Sequence, residues 1–207
     1  MQTRNANGPA RGLRRLRLVS LIAAACATAG WTGGAVADAS PSGAAAIAPV
    51  YHVVPLAPNS TPAGINNNGQ VAFTEYVGAV PRARFYDGTA VYDLGTFGGP
   101  DSFVNALNER GQVVGAASTA TPGVYHAFRW SRSAGLIDIS RPSAAYSVAN
   151  DINNRGEVVG AARFFAISPI FHGFRWSTRT GMVDLGALGP TSESVAYAIN
   201  DGGTATG

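Results

Sequence analysis

After residue 50 the apolar positions come in short runs of four or five, rich in β-branched and aromatic residues. Each run is bounded by Gly, Pro, Ser or Asn. Runs of this length and composition predict strands, and their boundaries are the residues that turns demand. No stretch beyond residue 50 shows the 3.6-residue apolar spacing of a helix over a useful length. Where a run alternates, its apolar side chains share one face. His126, Phe128 and Trp130 do so, and His172, Phe174 and Trp176 repeat the pattern.

The runs recur in order. Segment a precedes an asparagine, as in Phe103–Leu107, Tyr146–Asn150 and Val195–Ile199. Segment b follows a glycine, as in Gln112–Ala116 and Glu157–Ala161. Segment c is His126–Trp130 and His172–Trp176, with Arg84–Tyr86 as a weaker first version. Segment d is Val91–Leu94, Leu136–Ile139 and Met182–Leu185. The asparagines opening the a–b join are Asn66, Asn108, Asn153 and Asn200, at steps of 42, 45 and 47 residues. In the first three joins the partner glycines are Gly69, Gly111 and Gly156. Asn and Gly tolerate positive φ, and an Asn side chain can bond back to its own turn, so Asn-x-x-Gly predicts a tight hairpin. The b–c joins, Ser118–Tyr125 and Arg163–Phe171, are longer and vary most, which predicts loops gathered at one face.

Four short strands every ~45 residues is the blade spacing of a β-propeller. The expected fold is therefore all-β, a propeller-like array of four-stranded antiparallel blades with about three and a half repeats. The units lie near 57–94, 103–139, 146–185 and 195–207. A β-solenoid or sandwich is the alternative. Tyr51–Leu56 falls where a further segment d is due, so the chain reads d, abcd three times, then ab. That is one strand short of a four-blade ring. The expectation is a fragment of a longer repeat protein, whose last sheet has unpaired edges that invite self-association.

Composition changes the picture at the N-terminus. Of 207 residues, 46% are apolar and 13% charged, which suits a packed body. There is no Lys, and five of the 15 Arg lie in residues 1–37, which hold no acid. The remainder carries 10 Arg against 12 acids, a net charge of −2. The basic balance thus belongs to the leader and gives no argument for a nucleic-acid partner. Arg-rich residues 4–17, the apolar run Leu18–Ala29 and Ala35-Val36-Ala37 compose a secretory signal peptide, residues 1–37, with cleavage expected before Asp38. The run is too short for a comfortable membrane span of ~20 residues. Arg14-Arg15 fits a twin-arginine signal poorly. Cys26 after three alanines is a weak lipoprotein box, better read as a small residue of the apolar run. Cleavage before Asp38 leaves a secreted or periplasmic chain with no cysteine. Residues 38–50 read as a flexible linker, and 51–207 as the repeat domain.

A family resemblance rests on specific residues. His-Ala-Phe at 126–128, Asp-Leu-Gly at 93–95 and 184–186, Leu-Gly-Thr-Phe-Gly-Gly at 94–99 and Ile-Asn-x-x-Gly-x-Val-Val-Gly at 152–160 resemble the HAF-type bacterial extracellular repeat. The resemblance spans roughly residues 62–207, about 70% of the chain. It departs at Gly173, in the first unit, which lacks the His, and where Ile139 runs into Ser140-Arg141-Pro142. It implies an exported repeat protein and supplies no catalytic residues.

Repetition also weighs the candidate chemistry. His126 and His172, with His52, could suggest zinc, but equivalent places in different units favour a shared structural role. Asp93, Asp138 and Asp184 could suggest a glycosidase pair, but a carboxylate in every unit better accepts backbone N–H groups at a strand end. Asn67-Asn68, Glu109-Arg110, Asn154-Arg155 and Asp201-Gly202 hold too few acids for calcium. Leu94–Pro100 lacks the Lys-Ser/Thr and helix of a phosphate loop. Arg129 and Arg175 could stack on a sugar, though an intramolecular partner fits their repetition better. No metal, cofactor or catalytic residue is therefore assigned. The leading expectation is a non-enzymatic module presenting loops to a glycan or protein. Its rivals are a hydrolase or lyase using Glu75, Asp87, Asp101 or Glu193, and a structural surface module.

Overall fold

The computed structural model describes residues 53–164, 169–189 and 192–207. The expected leader, the linker, Cys26, Tyr51 and His52 lie outside the described residues. Residues 55–207 belong to one body, and its described residues contain strands and no helix.

Among the described residues, fourteen strands follow the repeat. The first unit holds β1 (Ser60–Ile65), β2 (Val71–Val77), β3 (Val80–Tyr86) and β4 (Val91–Asp93). The second holds β5 (Gly98–Leu107), β6 (Val113–Thr119), β7 (Tyr125–Ser131) and β8 (Gly135–Asp138). The third holds β9 (Tyr146–Ile152), β10 (Val158–Arg163), β11 (His172–Ser177) and β12 (Gly181–Asp184). The described residues of the fourth hold β13 (Ala198–Ile199) and β14 (Ala205–Thr206). Each unit pairs its strands antiparallel in chain order, giving three four-stranded sheets and one hairpin. The result is an open, propeller-like array. Val53–Leu56, part of the expected extra segment d, form no strand.

The apolar cores lie between consecutive sheets. One unites Ala72, Phe85 and Leu94 of the first unit with Val113, Phe128 and Trp130 of the second. The next unites Val114 and Ile139 with Val158, Phe174 and Trp176. Adjacent strand residues point to opposite faces, so Val113 faces backward and Val114 forward, and both are fully buried. This explains the recurring Val-Val, because a sheet covered on both faces needs apolar residues at successive positions.

The strand register carries a recurring irregularity. One extra residue sits in each a strand, Ala63, Asn105 and Asn150, opposite the b strand. Close to this bulge the facing residue is Gly115 or Gly160. A Cβ on either would collide with the carbonyl oxygen of Phe103 or Val148. Phe128 and Phe174 pack their rings over these glycines. In the first unit the large residue has changed strands, with Phe73 opposite Arg84.

Antiparallel order fixes what gathers where. The a–b and c–d turns lie at one end of the sheets. The b–c loops and d–a joins lie at the other.

Candidate functional site

At the turn end the four Asn-x-x-Gly stretches adopt one geometry. Asn108 Oδ1 accepts the N–H of Arg110 and of Gln112, each at 3.0 Å, and Gly111 N donates to the Asn108 carbonyl at 3.1 Å. Asn66 and Asn153 do the same with their own turns. Gly69, Gly111, Gly156 and Gly203 have φ between 69° and 83°, which an L side chain rarely adopts.

The same asparagines also join one unit to the next. Asn66 Nδ2 donates to the Asn108 carbonyl at 3.2 Å, Asn108 Nδ2 to Asn153 at 2.9 Å, and Asn153 Nδ2 to Asn200 at 3.0 Å. The following residues form a second ladder. Asn67 N donates to Glu109 Oε2 at 3.0 Å, Glu109 N to Asn154 Oδ1 at 2.9 Å, and Asn154 N to Asp201 Oδ1 at 2.7 Å. Asn and a carboxylate both supply the acceptor needed here, so the exchange of residue types within this set follows from one shared task. The Asn154 bonds hold the Asp201 carboxyl below its ordinary range. A cavity of about 280 Å³ opens among Asn108, Glu109, Asn153, Asn154, Asn200 and Asp201. Its polar walls are already occupied by these two ladders.

At the loop end the aligned aspartates sit where the d strands finish. Asp93, Asp138 and Asp184 each accept a backbone N–H two residues on, from Gly95, Ser140 and Gly186, at 2.7–2.8 Å. Asp138 Oδ2 lies 2.7 Å from His126 Nδ1, and Asp184 Oδ2 lies 3.0 Å from His172 Nδ1. In the first unit Arg82 takes the histidine's place, with Nη2 3.2 Å from Asp93. Burial opposes ionisation of Asp93, but the Gly95 N–H, Arg82 and Arg84 together hold its pKa below the ordinary value. Thus the structure pairs each His within its own unit and does not bring the two together. Among the described residues no three His, Cys, Asp or Glu side chains gather as metal ligands.

The residue after each His or Arg82 makes a further joint between units. Ala83 N donates to Ser102 Oγ at 3.0 Å, Ala127 N to Ser147 Oγ at 2.8 Å, and Gly173 N to Ser194 Oγ at 2.9 Å. Sequence reasoning passed over these serines. Their recurrence at steps of 45 and 47 residues was the available signal. Asn105 and Asn150, at the bulges, likewise donate to the carbonyls of Ala149 and Ala196 in the following unit.

The aromatic signature residues lie inside the array. Phe128 and Phe174 are fully buried, and Trp130 and Trp176 nearly so. Phe85 packs at a tilt against Trp130 of the next unit with centroids 4.9 Å apart, and Arg129 takes the equivalent place, 5.0 Å over Trp176. Burial pulls the Arg129 pKa down. Arg175 Nη2 lies 2.5 Å from Glu157 Oε1. Bonds first from Asn153 and then from Arg175 hold the Glu157 carboxyl at about 2, against an ordinary 4.5. Both arginines thus have an intramolecular partner, Trp176 for Arg129 and Glu157 for Arg175. Leu94–Pro100 forms the join into β5, with Gly95 and Gly98 at positive φ.

One cluster at the loop end repeats only in part, in Tyr125 and Phe171, each directly before the His of its c strand. Phe103, Tyr125, Tyr146 and Phe171 form a row across the second and third sheets, with successive centroids 6.0, 5.7 and 5.6 Å apart. All four are half-buried. Arg163 lies 5.4 Å from both the Tyr146 and the Phe171 ring. Tyr125 Oη donates to Asp101 Oδ2 at 2.9 Å. Burial, then this bond, raises the Tyr125 pKa, and burial raises that of Tyr146. Asp101 Oδ1 and Arg163 Nε are buried with no hydrogen-bond partner among the described residues.

The remaining acids are dispersed among different partners. Glu75 pairs with Arg84 at 2.7 Å, and Asp87 with Arg132, Thr89 and Tyr92. Glu193 is exposed. None of the four shares a hydrogen-bond partner with another.

No protein-family model matches the chain, and no curated protein matches it.

Proposed function

We propose that this chain is an exported, non-enzymatic repeat protein of the HAF type that binds a glycan across the aromatic row at its loop end. The leader composition and the recurring motifs support the export and family reading. The observation that carries the binding reading is the row Phe103–Tyr125–Tyr146–Phe171, flanked by Asp101 and Arg163. Sugar rings present C–H faces that rest on aromatic rings, while their hydroxyls bond to carboxylates and guanidinium groups. The partly exposed aromatic rings supply the apolar face, and Asp101 and Arg163 stand beside them. Placement beside the variable b–c loops suits recognition on a fixed scaffold.

A glycan array, followed by titration calorimetry on the hits, tests this reading. The expected result is binding that Tyr146→Ala weakens at least tenfold while the melting temperature changes little. Absence of any hit overturns it, as does binding that ignores Tyr125→Ala and Tyr146→Ala. Turnover of a polysaccharide, abolished by Asp101→Asn, would replace it with the hydrolase or lyase reading.

A further inference from the structure

We propose, building on the glycan reading above, that the aromatic row selects acidic sugars and that Arg163 receives their anionic group, a uronate carboxylate or a sulfate ester. The charges of the row stand at different rings. Asp101 Oδ2 serves the Tyr125 hydroxyl, and its Oδ1 is buried. Arg163 stands 5.4 Å from both the Tyr146 and the Phe171 ring. The row therefore has an acidic end and a basic end.

Arg163 is held in place but not neutralised. It is the last residue of β10 and pairs with Tyr146 of β9, and its carbonyl accepts the Ala145 N–H at 3.1 Å. Its side chain is half-buried against the two rings. Arg82, Arg84 and Arg175 are also half-buried, and each pairs with a carboxylate of Asp93, Glu75 or Glu157. Arg129 lies over Trp176 inside the array. Among the described residues no carboxylate forms an ion pair with Arg163, and its Nε has no hydrogen-bond partner. Ser194 N donates to the Phe171 carbonyl at 2.9 Å, which brings Glu193 to this end, but Glu193 is exposed and outside ion-pair distance. A cation partly withdrawn from water without a counter-charge is costly, and an anion arriving with a ligand offsets that cost. Aromatic rings attract a guanidinium but accept none of its strong hydrogen bonds. Its planar fork matches two oxygens of a carboxylate or a sulfate. A pyranose seated on Tyr146 carries its exocyclic group at its rim, where the guanidinium beside the same ring meets it.

Matched oligosaccharides on galactose, glucose and mannose backbones test this by calorimetry on the full chain, each as the neutral form, the uronate and the sulfate ester. At least one anionic form should bind about tenfold or more tighter than its neutral parent, and the form that does so identifies carboxylate or sulfate. The preference should disappear in an Arg163→Gln chain whose circular dichroism matches the parent. Arg163→Lys keeps the charge without the fork and should retain part of the preference. Equal affinity for neutral and anionic forms overturns the inference, as does a preference that survives Arg163→Gln. Should Arg163→Gln fail to fold, an undiminished preference in Arg163→Lys overturns it. If equal binding still weakens in Tyr146→Ala, the glycan reading stands and only the acidic preference falls. If no form binds, both fall.

Discussion

The two ends of the sheets solve different problems with the same repeat. At the turn end the asparagine ladder has the same form at every joint between units. Three successive Asn Nδ2 groups reach the next Asn carbonyl at 3.2, 2.9 and 3.0 Å. At the loop end only the serines and aspartates keep their roles. Arg82 replaces a histidine, and the aromatic row spans only the second and third units. Identical geometry under changing residue types marks a scaffold. Departure from the repeat at an accessible surface marks where a ligand can be chosen without disturbing that scaffold.

Breaking the turn end should cost most. Asn153→Ala removes a side chain that accepts two backbone N–H groups of its own turn and donates to Glu157 and to the Asn200 carbonyl. The loss leaves partly buried polar groups without their partners, at about 1 kcal/mol each, so thermal unfolding should shift down by several degrees. Asn200→Ala should cost much less, because Asn200 is exposed. Equal effects would remove the inter-unit ladder from the explanation. Gly156→Val should destabilise by about 1–3 kcal/mol, through positive-φ strain. Its Cβ would also come 3.1 Å from Gln112 Oε1 of the preceding unit. An unchanged melting temperature would refute the turn geometry.

At the loop end, His126→Ala should cost less than about 1 kcal/mol, since the pair is solvent-accessible and Asp138 keeps its Ser140 bond. A larger loss would make the two ends equivalent. The smallest effect concerns acid. Glu157 titrates near 2 in the folded chain against an ordinary 4.5. Its contribution is therefore present above about 4.5 and lost as pH falls toward 2. Glu157→Gln should reduce the fall in melting temperature across that window without abolishing it, because Asp93 and Asp201 are also lowered. Identical acid profiles for parent and variant would show that these bonds do not persist in solution.

Strand positions were legible because period and turn chemistry agree. Each unit's Asn and Gly are the first and fourth residues of a five-residue connection, and the c and d strands fall where the aromatic and Asp motifs place them. What lay between units was harder to read. Serine is common and Ser102 has no neighbour in sequence that reveals its partner, Ala83. Likewise, Val-Val-Gly shows that a glycine recurs, but not that a bulge carbonyl occupies the space of its Cβ. The aromatic row escaped notice because Phe103 and Tyr146 come from a strands and Tyr125 and Phe171 from the edges of b–c loops. Arg82 in the histidine's role was hidden because the two side chains share only a hydrogen-bond donor.

The Asn ladder always runs from an amide to the carbonyl of the unit that follows, across 42, 45 and 47 residues. Each turn is thus templated by its immediate successor, and no joint on this ladder skips a unit. Loss of one joint should therefore loosen the two units it links before any other. In an Asn153→Ala chain, amide protons of β10 and β14 should exchange with deuterium earlier than in the parent, while those of β2 change least. The array carries a direction, and its interior is kinetically guarded by neighbours whose own ligand-facing loops remain free to differ.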